Sequence, residues 1–119
     1  MANHAFATGR VALISGAARG IGAAIARELA TAGTHVVLGD VLDGPLAETV
    51  ASVGERAVAV RLDVTRPEDW REAVQLALQT FGRIDILVNN AGVMQFASFE
   101  DTSVELMRTT LDVNVMGAF

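Results

Sequence analysis

Residues Ser15–Gly22 read "SGAARGIG", set between the apolar "VALI" and the helix-like "AAIARELATAG". Glycines this dense are costly inside a helix and add nothing to the packing of a strand. The stretch is therefore a turn that joins a buried strand to a helix. Such a turn meets its surroundings with the unpaired N–H groups and the positive dipole end of the helix, a natural seat for phosphate. In that role Gly16 permits a tight exit from the strand, Gly20 lets a phosphate approach the backbone, and Gly22 lets helix and sheet come together. The spacing is G-x3-G-x-G and not the commoner G-x-G-x-x-G, so the turn by itself also fits an ordinary strand–helix connection.

Outward from the turn, strands and helices alternate. Arg10 to Ser15 reads as a buried strand. Ile21, Ile25 and Leu29 lie at helical spacing in a helix from Ile21 to Ala32, which Gly33 stops. "HVVLG" is a second strand ending at Asp40, and Asp43 is placed to cap a helix from Gly44 to Val53, with Pro45 in its first turn and Gly54 after it. "RAVAVRLDV" is a third strand. Thr65-Arg66-Pro67-Glu68 has the capping-box pattern, followed by a helix with Trp70, Val74, Ala77, Leu78 and Phe81 on one side. "IDILV" is a fourth strand, leading into "NNAGVMQFASFED". A second capping box, Thr102 to Glu105, opens a helix with Val104, Met107, Leu111 and Val115 on one face. The order β-α-β-α-β-α-β-α with short connections predicts a doubly wound α/β fold, a parallel sheet with helices on both faces.

Composition agrees. Of the 119 residues, 51% are hydrophobic, yet no apolar run approaches the ~18 residues of a membrane span. An apolar chain of this kind matches strands buried on both sides. The start, "MANHAFATGR", lacks a basic region followed by an apolar block, which points to a cytoplasmic protein. Cysteine is absent, excluding disulfides and thiolate metal sites. A net charge of −5 with singly scattered basic residues argues against a nucleic-acid surface. All nine basic residues are arginine, so the chain has no lysine, and it has no tyrosine. His4 and His35 have no evident partner and receive no ligand or catalytic role. Trp70, Phe81 and the methionines read as packing.

Asp40 adds an independent observation. It closes the second strand 18 residues after Gly22, near the ~20 expected of an acid that binds a ribose hydroxyl in a dinucleotide site. With it, the chain resembles the short-chain dehydrogenase/reductase family through "SGAARGIG", "LGDV", "LDVT" and "NNAG", in that order and across nearly its whole length. In wording it is similar to the bacterial hydroxysteroid dehydrogenases.

The resemblance implies a Rossmann-type sheet of seven strands, of which four are present. It implies that Gly16, Arg19, Gly20, Ile21 and Gly22 line the pyrophosphate and its ribose. Asp40 would accept hydrogen bonds from two ribose hydroxyls, while Asp63 and Val64 contact adenine. Asn90, Ala91 and Gly92 would pass beneath the cofactor, with Asn89 bracing the sheet. Asn114 would belong to the family's Asn-Ser-Tyr-Lys catalytic set, its carbonyl holding a water in the proton relay. Read locally, Asp63 equally fits a cap for the loop before Pro67, Asn89 and Asn90 a turn pair, and Asn114 a polar residue in a helix.

Asp40 also selects the cofactor, NAD. A like charge ~4 Å away at an effective dielectric of ~20 costs about 4 kcal/mol before screening, so the 2′-phosphate of NADP is repelled. Val41 supplies no countercharge, although Arg19 in the turn is able to hold a phosphate. In the family, a tyrosine made acidic by a lysine exchanges the proton while hydride moves between nicotinamide and a secondary alcohol or ketone. This chain has neither residue type. The expectation is thus residues 1–119 as the NAD-binding half of an oxidoreductase, truncated before the catalytic Ser and Tyr-x-x-x-Lys and inactive alone. A steroid or other secondary alcohol is the substrate implied for the complete enzyme, with no membrane or nucleic-acid partner and a dimer or tetramer as its assembly. Two other readings stand beside it, and a third is excluded. A non-catalytic dinucleotide-binding or interaction module fits the same residues. An S-adenosylmethionine methyltransferase fits "NNAG" poorly, and a kinase-type phosphate loop would need a lysine.

Overall fold

The computed structural model describes residues 7–119, so His4 lies outside the described residues. β1 (Val11–Ser15), α1 (Gly20–Thr31), β2 (His35–Asp40), α2 (Asp43–Val53), β3 (Ala57–Arg61), α3 (Pro67–Phe81), β4 (Ile86–Val88) and α4 (Val104–Leu111) follow in sequence, and α4 runs into a π-helical turn, Asp112–Met116. The four strands form one parallel sheet in the order β3-β2-β1-β4. This is the doubly wound arrangement that the alternation predicts.

β1 lies in the interior of the sheet and is buried on both faces. Ala12 and Ile14 join Val36, Leu38 and Ala26 under α1 and α2, while Val11, Leu13 and Val37 pack against Ala73 and Ala77 of α3. Full burial of each Val, Leu or Ile is worth about 1.5–3 kcal/mol, so the middle of the sheet dominates stability and the periphery contributes less. β4 is an edge strand, and its Leu87 is 53% exposed. Among the described residues no strand pairs with its outer edge.

Several local expectations change. Val74 and Leu78 of α3 are largely exposed, and the inward line is Ala73 and Ala77 with Trp70, Leu76 and Phe81 beside it. Small alanines let the helix sit close to the sheet, so the larger side chains are turned aside. Asp43 does not cap α2 but is its first residue, with Leu42 at the cap position. Neither capping box forms. Arg66 precedes α3 without a side-chain cap, because the Thr65 hydroxyl is turned back to Asp63. At α4 the cap is Ser103, whose Oγ accepts the Leu106 N–H at 3.0 Å, while Thr102 bonds the Ser98 carbonyl. The apolar face of α4 is uncovered: Val104, Met107, Leu111 and Val115 are all exposed.

The approach to β4 is clasped to β1. Asp85 N–H donates to the Val11 carbonyl at 2.8 Å, and Val11 N–H donates to Asp85 Oδ2 at 2.9 Å. Arg83 grips both carboxylate oxygens, at 2.6 Å from Nη2 to Oδ1. The Arg83 guanidinium, helped by the Val11 N–H, holds the Asp85 carboxyl below its ordinary value. A depressed folded-state value means that this contribution is complete above the unfolded carboxylate pKa, about 3.9, and fades as pH falls through the folded one. The melting-temperature gap between wild type and Asp85→Asn should therefore be constant above about pH 5 and shrink below about pH 4. A gap that persists undiminished to pH 3 would contradict this.

Candidate functional site

The ends of β1, β2 and β3, with the loop after β4, surround a cavity of about 510 Å³. This is the carboxyl edge of the sheet, at the switch point where β1 leads on one side to β2 and on the other to β4. Gly16, Arg19, Asp40, Asp63, Val64 and the Asn90–Gly92 segment line it. Val41, Leu42, Leu62, Val93 and Val113 complete the wall. Gly20, Ile21 and Gly22 do not line the cavity: Gly20 faces open space, Ile21 projects outward at 73% exposure and Gly22 is buried behind the turn. A larger cleft of about 810 Å³ lies beside Leu87, Trp70 and Met116–Phe119. It runs along the open edge of β4, away from the glycine turn and Asp40.

The glycine turn has the form its sequence predicts. Gly16 and Gly20 have φ of +66° and +60°, a region that side chains with a Cβ rarely enter. A Cβ on Gly20 would project into open space in front of the turn. α1 begins at Gly20 with Arg19 as an uncapping neighbour, since no side chain accepts a hydrogen bond from its first turn and no acidic residue stands there. The N–H groups of Gly20, Ile21 and Gly22 thus have no intrahelical acceptor, and an anion in front of them would be favoured. Among the described residues Arg19 has no ion pair. These features fit a diphosphate.

The turn is held from beneath. Ala17 N–H donates to the Gly39 carbonyl at 3.0 Å and Ala18 N–H to Asp40 Oδ2 at 2.9 Å. Asp40 Oδ1 accepts from Val41 N–H at 2.7 Å and Leu42 N–H at 3.2 Å. These backbone donors occupy most of the roughly four lone-pair sites of the carboxylate. Asp40 is therefore a fixed acceptor with little capacity to spare.

Asp63 serves its own loop. Its Oδ1 accepts from Thr65 N–H at 2.9 Å and from Thr65 Oγ1 at 2.6 Å. The Thr65 hydroxyl and then the Thr65 amide keep this carboxyl below its ordinary value. The local reading of Asp63 as a loop cap holds for Oδ1, and Oδ2 has no hydrogen-bond partner among the described residues.

In the loop after β4 the Asn90 side chain is itself a brace: its Nδ2 donates to the carbonyls of Ser15 at 3.2 Å and Gly16 at 3.0 Å. Asn89 faces the cleft beside β4. Ser15, which sequence reasoning passed over, accepts Asn90 N–H and Ala91 N–H on its Oγ, both at 3.1 Å. The end of β1 and the start of the loop are thereby tied at four points. Asn114 lies in the π-helical turn and pairs with the backbone of Val93, accepting from its N–H and donating to its carbonyl, each at 2.8 Å. Its side chain fixes the same loop at Val93, and π-turns of this kind recur at functional sites.

The sequence pattern of the short chain dehydrogenase family matches residues 10–119. A 3-alpha-(or 20-beta)-hydroxysteroid dehydrogenase from Mycobacterium bovis is 42% identical over 111 residues, covering 93% of this chain and 43% of that protein. The 3-ketoacyl-(acyl-carrier-protein) reductase from Brucella melitensis, solved in complex with NADH, superposes with a TM-score of 0.89 at 37% identity, over 93% of this chain and 46% of the reductase. A short chain dehydrogenase/reductase from Burkholderia phymatum in complex with NAD gives a TM-score of 0.88 at 37% identity, over 92% of this chain and 40% of that structure. The chain spans less than half the length of these relatives.

Proposed function

From the premise that the chain belongs to the short-chain dehydrogenase family, we propose that residues 1–119 are the NAD-binding half of an oxidoreductase acting on a secondary alcohol or ketone. The observation that carries this is a cavity shared by a backbone-fixed Asp40 and by Gly16 and Arg19 of the turn that leads into an uncapped helix start. Bound NAD(H) would supply hydride acceptance or donation at its nicotinamide. The α1 N–H groups and Arg19 take the diphosphate, the remaining capacity of Asp40 takes a ribose hydroxyl, and Asp63 and Val64 flank the adenine. Asn90–Gly92 form the floor, held by Ser15 and Gly16 on one side and by Asn114 on the other. Asn114 contributes the family's relay position through its backbone.

The hydroxysteroid and ketoacyl relatives both act at an oxygenated carbon, which supports the alcohol/ketone class and leaves a steroid as one member of it. The 119 residues contain no tyrosine and no lysine, so none of them supplies the acidified phenol for proton transfer. By itself this chain binds cofactor without turning over alcohol, and the bare apolar face of α4 meets a second subunit in the assembled enzyme. Fluorescence titration of the purified chain tests the reading. NADH should bind at least tenfold more tightly than NADPH, because the Asp40 carboxylate repels a 2′-phosphate. Equal or tighter NADPH binding would overturn the cofactor assignment. Binding of NADH without oxidation of secondary alcohols leaves a non-catalytic dinucleotide-binding module as the second reading of the isolated chain.

A further inference from the structure

Thr49 is out of place on its helix face. It is 4% exposed and lies on the side of α2 that carries Leu46, where an apolar residue would bury more favourably. Its hydroxyl is directed at one acceptor: Oγ1 donates to the carbonyl of Ala18, inside the glycine turn, at 2.6 Å. Ala18 is itself buried, and its N–H is held by Asp40 Oδ2 at 2.9 Å. The two sides of this residue are thus fastened to different elements, one to the end of β2 and the other to α2.

The consequence follows from peptide geometry. The Ala18 carbonyl and the Arg19 N–H belong to one rigid trans peptide and point in opposite directions. Drawing the carbonyl toward α2 turns the Arg19 N–H away from it, and that N–H has no acceptor among the described residues. Ala17 and Ala18 have no polar side chain with which to hold the turn, so its orientation depends on these main-chain anchors. Without the Thr49 hydroxyl, the Ala18 carbonyl would be buried with no partner, a state relieved by rotating the peptide plane. The rotated plane would show an oxygen, not an N–H, to an approaching anion.

We propose that Thr49, which does not line the cavity, is a positioning residue that keeps the Ala18–Arg19 peptide in its anion-accepting orientation. This rests on the assignment of the turn to a diphosphate. Thr49→Val keeps the shape and removes the donor, and Thr49→Ser keeps the donor. NADH affinity should fall about tenfold in Thr49→Val and stay within about threefold of wild type in Thr49→Ser. Adenosine, which has no phosphate, should bind both variants like wild type. Unchanged NADH affinity in Thr49→Val, or equal losses for adenosine and NADH, would overturn the proposal. Thr49→Ala serves the same comparison where Thr49→Val does not fold. Failure of the wild-type chain to bind NADH would sink the cofactor assignment instead. The peptide orientation is then judged by the carbonyl ¹³C resonance of Ala18: a shift in Thr49→Val that Thr49→Ser restores supports it, and an unmoved resonance refutes it.

Discussion

Replacing Gly22 by alanine is expected to destabilise the chain by about 1–2 kcal/mol and to weaken NADH binding at least tenfold. Helix propensity alone points the other way, since alanine is favoured over glycine in a helix by up to about 1 kcal/mol. Contact decides the sign. A Cβ at Gly22 would stand 2.6 Å from Asn90 Nδ2 and 3.0 Å from Ala17 Cα, and closer still to the Gly16 carbonyl oxygen. None of these is the loose end of a flexible side chain. They are the backbone of the turn and the amide that bridges it to the loop after β4, so relief comes only by displacing the turn. Overpacking of this kind costs about 1–3 kcal/mol, enough to outweigh propensity. Gly44→Ala is the control, because a Cβ there meets nothing within 4 Å. Denaturation midpoints and NADH titrations of the two variants read the difference. A Gly22→Ala chain more stable than wild type would show that the turn yields.

The second large effect belongs to Asp40→Asn. An amide cannot reproduce the carboxylate's acceptor pattern, because one of its two ends is a donor. Either the Ala18 N–H or the Val41 and Leu42 N–H groups then face an NH2 group. Loss of hydrogen bonds to a charged group predicts NADH binding roughly tenfold to a hundredfold weaker. Removing the charge also removes the repulsion of a 2′-phosphate, so the NADPH-to-NADH ratio of dissociation constants should move toward unity. Paired titrations with the two cofactors measure both. A ratio that stays at its wild-type value would mean that Asp40 is not the discriminating charge.

The architecture and the place of the site were legible because they rest on local signals. The glycines of the turn, the apolar strands and an acid at the end of the second strand each declare themselves within a few residues. What escaped notice depends on partners distant in the chain. Ser15 reads as the last residue of a strand, and its acceptor role exists only because Asn90 is brought beside it from 75 positions away. Thr49 reads as an ordinary helical residue until α2 is laid under the turn. The capping boxes failed by local competition: Asp63 claimed the Thr65 hydroxyl, and Ser103 reached the helix end ahead of Thr102. On α3, Trp70, Ala77 and Phe81 pack inward as their spacing predicts, but Val74 and Leu78 do not, because close approach to β1 and β2 favours Ala73 and Ala77.

The short pairing of β4 with β1 has a bearing on how the protein assembles. β1, β2 and β3 follow one another along the chain, but β4 must return across more than seventy residues to reach Ala12–Ile14. Contacts of such wide sequence separation carry the largest loop-closure entropy and accumulate late in folding. With only three residues in register, β4 opens more cheaply than the strands inside it. When it parts from β1, the Asn90–Ala91 wall of the cavity leaves with it, because both residues are moored to Ser15. Any ligand that needs this wall must then favour the closed strand by mass action, making the dinucleotide a clamp for the most weakly attached part of the sheet.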